Sequence, residues 1–389
     1  MRYVYQLKEW PRFRWNHAEL EGMLSKSTLA LGKFLGRLSS LGFDVQSLAV
    51  CETIASEIVN SAAIEGEALN RDSVRSSVAK RMEIAIAAAR GATTHTDEAR
   101  ADMMLDATRN CAAPLTVERL CSWHAALFPT GYSGLVRISV GKLRDDSEGP
   151  MRVVSRRGMM ERVHFEAPPA RVLPLEVARF LDWANEDGGD ESWLVRAAVS
   201  HLWFLTLHPF DDGNGRLARA LTEYMLARGE QSSMRFYSLS SQIQKEKSAY
   251  YDELEHAQRN TLDVTRWVKW FVGCHSRAVA AAESQLAGIL SKAEFWRLHS
   301  ADNLSAAQRR MVNMLFDGFE GNLTSSKWAK ICKVSQDTAF REIQGLVAKG
   351  ILRQVGNGRS THYVLADAIR CAVARRRCPG GALARAGVK

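Results

Sequence analysis

The residues best equipped for chemistry lie in one run, His208-Pro209-Phe210-Asp211-Asp212-Gly213-Asn214-Gly215-Arg216-Leu217-Ala218-Arg219. His208 supplies a base that titrates near neutral pH. Asp212 is a hard oxygen donor of the kind that suits magnesium. Gly213 and Gly215 around Asn214 permit a tight turn with several exposed amide N–H groups, and the start of the next helix adds more. Arg216 and Arg219 are three apart, so they share a helix face. A base, a metal carboxylate and an anion cradle are the parts needed to move a phosphate-containing group.

Two helical patterns must position this turn. Trp193 to Leu207 is an apolar run that delivers the chain to His208, and Leu217 to Leu226 continues beyond it. The chain around them has 389 residues and 46% hydrophobic content, enough for two or three domains with sizeable cores. No apolar run reads as long enough to span a bilayer, and the first residues lack a signal peptide's hydrophobic segment. Seven scattered cysteines show no zinc spacing, which implies free thiols and a cytoplasmic, reducing setting. The net charge of +9 favours polyanions such as nucleotide or DNA. Part of it sits in a tail after Asp367 that has six basic residues and no acid, Arg370, Arg375, Arg376, Arg377, Arg385 and Lys389.

Taken in order, Tyr3 to Trp15 reads as a docking strand or irregular arm, followed by helices over Glu19 to Leu41 and Val45 to Val59. The second runs into Ser61-Ala62-Ala63-Ile64-Glu65-Gly66. Ser61 and Glu65 fall one turn apart on a continuing helix, and Gly66 suits its stop. Taken alone, Glu65 reads as a solvent-facing glutamate. Further helices are expected over Asn70 to Ala89, Glu98 to Asn110 and Val117 to Leu127, the last capped by Thr116. The stretch to Ala170 is β-like. Met151 to Val154 and Arg162 to Glu166 pair there as an isolated hairpin, of the kind that covers a groove. Pro174 to Trp183, Glu191 to Leu207, Ser240 to Glu255 and Asp263 to Leu290 are helical.

From Leu304 the pattern changes. Three short helices begin near Ser305, Leu323 and Val334, and two strands follow around the glycines of Ile351 to Leu365. This is a winged helix-turn-helix pattern. Ser335, Gln336, Thr338 and Arg341 would face a DNA groove and Arg359 a backbone phosphate; an ordinary polar surface or a protein-coupling module fits them as well.

His208 to Arg219 resembles the signature of the Fic family: His-Pro-Phe, a free position, an acid, Gly-Asn-Gly-Arg, two free positions and Arg. Every fixed position is filled. The resemblance implies a mainly α Fic fold with a short β-hairpin flap. It implies transfer of AMP from ATP, with Mg2+, to a Ser, Thr or Tyr hydroxyl of a target protein, with release of pyrophosphate. By it His208 is the general base and Phe210 packs the turn into the core. Asp212 holds magnesium, Gly213, Asn214 and Gly215 form the anion nest, and Arg216 and Arg219 hold phosphate oxygens. Arg162, Val163, His164, Phe165, Glu166 and Ala167 match the flap that docks the target. Ser61, Glu65 and Gly66 match the family's inhibitory helix, placed at about residues 53–66, in which the glutamate pairs with the second arginine, here Arg219.

The organisation implied is an accessory domain over 1–100, a Fic catalytic domain over 101–290, a winged helix over 300–366 and a disordered basic tail over 367–389. Two further functions stay open. The same site could remove AMP from a modified protein, with Glu65 positioning water. Alternatively, the chain could be a DNA-binding regulator whose Fic body senses nucleotide. A homodimer is expected from the family, and no membrane partner. Of the other histidines, His201 reads as a core or supporting residue, His124 as packing, and His164 as a flap residue within reach of nucleotide or target.

Overall fold

A computed structural model of the chain describes residues 2–39, 41–84, 93–147, 149–157, 160–259, 261–316, 319 and 321–366. The elements run α1 (His17–Leu38), α2 (Phe43–Ile64), α3 (Arg71–Arg81), α4 (His95–Arg109), α5 (Val117–Leu127), β1 (Tyr132–Ser133), β2 (Val136–Arg137), β3 (Arg152–Arg157) and β4 (Met160–Glu166). They continue with α6 (Leu173–Asn185), α7 (Trp193–Leu207), α8 (Asn214–Gly229), α9 (Leu239–Lys245), α10 (Lys247–Ala257) and α11 (Thr265–Leu298). The last are α12 (Ala306–Phe316), α13 (Ser325–Cys332), α14 (Gln336–Ala348), β5 (Leu352–Val355) and β6 (His362–Leu365). The fold is mainly α, as expected.

Two compact units divide the chain: Met1–Leu35 with Phe43–Ala280, and Gly36–Gly42 with Ala281–Lys389. The first is built around α7 and α8, which pack on each other. From Leu194 to Leu207 every residue of α7 is buried, so this helix is enclosed on all sides. α2 packs against α3, α4, α8 and α9, which brings the Ser61 segment to the start of α8. The helix starts follow their side chains: Asn70, Thr94, Thr116 and Ser238 each accept a backbone N–H three residues on.

The sequence reading needs correcting in several places here. α2 ends at Ile64, so Glu65 and Gly66 form the turn beyond the helix and do not continue it. α2 also reaches the length and hydropathy of a bilayer span, contrary to expectation; about half of that window is buried inside the unit. The hairpin strands are longer than read, pairing Arg152 with Glu166 through to Arg157 with Met160, with a register shift at Val153/Val154. A second short hairpin, β1–β2, lies in the stretch where one was expected. The stretch from Ser240 to Glu255 is two helices, broken at Glu246. The N-terminal arm forms single bridges from Tyr3 to Arg259 and from Arg14 to Asp263, with a 3-10 turn between.

In the second unit, α12 to α14 and the β5–β6 hairpin enclose a core that includes Trp328, Ile343, Leu346 and Tyr363. Thr324 and Ser335 cap α13 and α14. An isolated bridge pairs Leu323 with Tyr363 beside the two-stranded wing. The helix expected over Asn70 to Ala89 is shorter, since α3 ends at Arg81 with Met82 as its cap. The basic tail at 367–389, with Cys371 and Cys378, and residues 85–89 lie outside the described residues.

Candidate active site

His208 ends α7 in the left-handed region, φ 49 and ψ 57, a conformation that costs energy for a residue with a Cβ. Arg144 holds it there. This arginine is 3% exposed and donates from Nε to His208 O at 2.8 Å and from Nη2 to Pro168 O at 2.5 Å. Its backbone N–H donates to Pro209 O at 2.9 Å. Nδ1 of His208 lies 3.4 Å from Leu205 O. With the proton on Nδ1 for that bond, Nε2 keeps its lone pair. Burial pushes the imidazole down to about 4, with Leu205 opposing through the hydrogen bond and Arg144 adding to the depression. His208 is therefore neutral near pH 7 and able to accept a proton.

The turn after it is latched from inside. Asn214, 2% exposed, accepts from Phe210 N at 3.0 Å through Oδ1 and donates to Phe210 O at 2.7 Å through Nδ2. Asn214 thus shapes the turn with its side chain, beyond its expected part in an amide nest. Phe210 is fully buried and stacks on His124 at 4.3 Å. His124 Nδ1 accepts from Gly141 N at 3.0 Å, which leaves Nε2 to donate to Asp212 O at 3.2 Å. His124, read as packing, also carries backbone of the turn. Asp211, the free position of the motif, accepts from Ser139 N at 2.8 Å.

Gly213 starts α8 with φ 78, and a Cβ there would come within 2.7 Å of the Phe128 ring. Asp212 accepts from Gly213 N at 2.6 Å, and its second oxygen takes the Ser133 hydroxyl. Its side chain is 45% exposed, 3.8 Å from Arg216. A half-exposed carboxylate beside free helix N–H groups fits a magnesium ion held together with phosphates.

Arg219 is 1% exposed. It donates from Nε to Ser61 Oγ at 2.8 Å, and from Nη2 to Ser61 O at 2.9 Å and Glu65 Oε1 at 2.8 Å. The same Glu65 oxygen overlaps the place a Cβ on Gly215 would take. The carboxylate therefore packs against Gly215 at the start of α8. Arg216 lies over the Phe128 ring at 4.8 Å and donates to Glu67 at 2.8 Å.

His208, Glu65 and Gly215 open on one cavity of about 530 Å³, shared with Val153, Val154, His164 and Phe165 of the hairpin and with Tyr250, Tyr251, Leu254 and Glu255. Glu255 staples the hairpin to α10. It accepts from Arg162 at 3.0 Å and His164 Nδ1 at 2.8 Å, and Arg259, 2.9 Å from the same carboxylate, donates to His164 O at 2.6 Å. Val163 is exposed, whereas Phe165 and Ala167 are buried. Glu166 pairs with Arg152 at 2.8 Å. His201, one of the expected supporting residues, is buried between Thr222 and Tyr250 at 2.8 and 2.9 Å.

The structure therefore gathers His208, Asp212, Gly213, Asn214, Gly215, Arg216, Arg219, Ser61, Glu65 and Gly66 at one end of α8, with Arg162 to Ala167 on the adjoining hairpin. Sequence reasoning missed Arg144, Asp211, Glu67 and Glu255. Glu67 stands two residues after the matched glutamate and Asp211 at the free position of the signature, and both signals went unused; Arg144 lies in a loop with no pattern to mark it, and nothing in its predicted helix singles out Glu255. In the second unit Ser335 spends its hydroxyl capping α14 at Thr338 N, 3.2 Å, and Gln336 donates to Ser326 at 3.1 Å, while Arg341 is exposed.

Residues 114–226 match the Fic/DOC family. Residues 3–84 match a domain of unknown function, DUF4172, and residues 307–366 match the C-terminal domain of a DIP2311-like transcriptional regulator. A uridine 5'-monophosphate transferase from Xanthomonas campestris pv. campestris (strain 8004) is 29% identical over 126 residues, 30% of this chain and 22% of that protein. A protein adenylyltransferase Fic from Culex quinquefasciatus is 31% identical over 112 residues, 28% of this chain and 20% of that protein. The chain thus matches only about a fifth of the length of these curated relatives. A crystal structure of a Fic family protein from Desulfovibrio desulfuricans G20 is similar in fold, with a TM-score of 0.51, 20% identity, and 88% of this chain and 96% of that one covered. The signature turn, the helices that carry it and these likenesses agree: the chain carries a Fic domain over residues 114–226.

Proposed function

We propose that this protein transfers AMP from ATP to a Ser, Thr or Tyr hydroxyl of a target protein, and that Glu65 restrains it. His208 takes the hydroxyl proton on Nε2. The hydroxyl oxygen bonds to the α-phosphorus as the bond to the α–β bridging oxygen breaks, and pyrophosphate leaves. The amides around Gly213 to Gly215, with Arg216 and Arg219, steady the phosphate oxygens. Magnesium bound at Asp212 would neutralise phosphate charge. The hairpin edge at Arg162 and Val163 aligns a target segment by backbone pairing.

The observation that carries this reading is the seat of Glu65. Its carboxylate packs on Gly215 and pairs with Arg219, 2.8 Å away, in the cavity that holds His208. A carboxylate bound where a phosphate would bind is what a self-restrained phosphate site requires. The test is incubation with α-labelled ATP and magnesium, read by intact mass. Label is expected on protein, more from Glu65→Gly than from the unaltered chain and none from His208→Ala; no transfer from any form, with a cell extract as target source, would sink the reading.

UTP belongs in the same assay, because one relative is named for UMP transfer. The reverse reaction, removal of AMP with Glu65 positioning water, is supported by Glu65 and His208 lining one cavity. AMP release that needs both residues would select it. The winged unit leaves a role at DNA as a further proposal, along with a homodimer and a cytoplasmic setting.

A further inference from the structure

The segment that supplies Glu65 supplies a second carboxylate to a second arginine. Glu67 accepts from Arg216 Nη1 at 2.8 Å through Oε2 and from Arg100 Nη2 at 2.5 Å through Oε1. Gly66 between the two glutamates has φ +83, a left-handed turn that lets each reach a different arginine. Arg100, on α4, is 5% exposed and Arg216 9%, and the Nε of each has no partner. Arg100 Nη1 is 4.0 Å from Asp97, which is already engaged by Ser73 and Thr94 at 2.6 and 2.8 Å. Two buried guanidiniums therefore converge on one carboxylate whose side chain is 35% exposed.

We propose that Arg100 and Arg216 form a second anion seat beside that of Arg219. Glu67 fills it in the restrained chain, and a phosphate of the donor triphosphate fills it when Glu67 leaves. Arg100 thereby joins the phosphate-binding set. The inference rests on the reading of the turn as a nucleotide site, and adds a ligand and an internal competitor to it. The physics is an exchange. Buried guanidiniums stripped of the one carboxylate hydrogen-bonded to both are costly, since Asp97 and Asp212 stand 4.0 and 3.8 Å off, so the seat favours replacement of Glu67 by another oxyanion over being emptied. Glu67 is partly hydrated already, so it returns to water at small cost. An internal anion that must be displaced weakens the apparent affinity for an external one.

The experiment is calorimetric titration of the full-length protein with inorganic pyrophosphate at fixed ionic strength. Glu67→Gln keeps the shape and removes the competing charge; it should bind pyrophosphate roughly tenfold more tightly than the unaltered chain. Adding Arg100→Gln to E67Q should reverse that gain. Where the double variant melts early, E67Q with Arg100→Lys replaces it, because the charge stays and the planar fork is lost; its affinity should fall below that of E67Q alone. Equal binding by E67Q and the unaltered chain, or by E67Q with and without the Arg100 change, overturns the seat. Pyrophosphate binding does not need transfer chemistry. A failed labelling assay with this order of affinities intact would count against the proposed activity alone; successful labelling with no such order would sink the seat alone.

Discussion

Arg219 binds the last turn of α2 and the residue beyond it at once, Ser61 through its hydroxyl and Glu65 through its carboxylate, each at 2.8 Å. The two contacts differ in kind. Glu65 contributes a charge, which on the proposed reading competes with phosphate, whereas Ser61 contributes a neutral hydrogen bond worth about 1 kcal/mol. Glu65→Gly should therefore raise label transfer by one to two orders of magnitude, roughly the range of coupling seen between competing ligands. Ser61→Ala should raise it only about fivefold, through a slightly looser segment. Initial rates with α-labelled ATP check both, and a larger effect from Ser61→Ala would reverse the assignment.

Asn214 ties both backbone groups of Phe210. Asn214→Ala removes two buried bonds and leaves their partners unpaired, at about 2–4 kcal/mol in all. The melting temperature should drop, and transfer should be lost even in the Glu65→Gly background, since the amides no longer point at one centre. Unchanged transfer in that double variant would show that the turn holds its shape without the latch.

Glu255 touches the hairpin, through Arg162 and His164, and not the phosphate cradle. Glu255→Gln should raise KM for the target several-fold while kcat falls less, because the hairpin is then held less firmly. An effect confined to kcat would place this carboxylate in the chemistry.

Three histidines set an acid limit on stability. Burial holds His201 and His275 down near 3 and His208 near 4, against an ordinary 6.5. Between those values the unfolded chain binds more protons than the folded one, so stability is full above pH 6.5 and falls as pH drops below it. Melting temperature followed from pH 7 to pH 4 should decline steadily. His201→Gln, which keeps hydrogen-bonding groups toward Thr222 and Tyr250 without a basic ring, should flatten part of that slope. The acid limb of kcat/KM, set by the free enzyme, should likewise lie below 6.5, toward about 4.

Much of this was legible beforehand because the turn is a local object. His208 to Arg219 occupies adjacent positions, and each residue type has one chemical use there. Glu65 was legible only through family likeness, since by itself it is a glutamate near a helix end. What escaped depends on distant segments meeting. Arg144 reaches His208 O from a loop without periodic pattern, and Glu255 meets the hairpin from another helix. The end of α2 was misjudged for a different reason: a four-residue spacing satisfies a helix and a helix-ending turn alike. The second hairpin was missed because β1 and β2 are two residues each, too short for alternation to show.

Glu57 lies on α2 two turns before Glu65, 3% exposed, and accepts from Ser238 Oγ at 2.5 Å and Ser240 N at 3.0 Å beside α9. That buried anchor fixes the middle of the rod to the body. Beyond it the grip on Arg219 consists of few contacts, with Ile64 as the last deeply buried apolar side chain before Gly66. On the proposed reading, the restraint would therefore peel from its tip while the anchored part stays docked. Such a release would amount to fraying at the end of one helix and would need no domain to swing away, so the proposed brake would be graded in small steps.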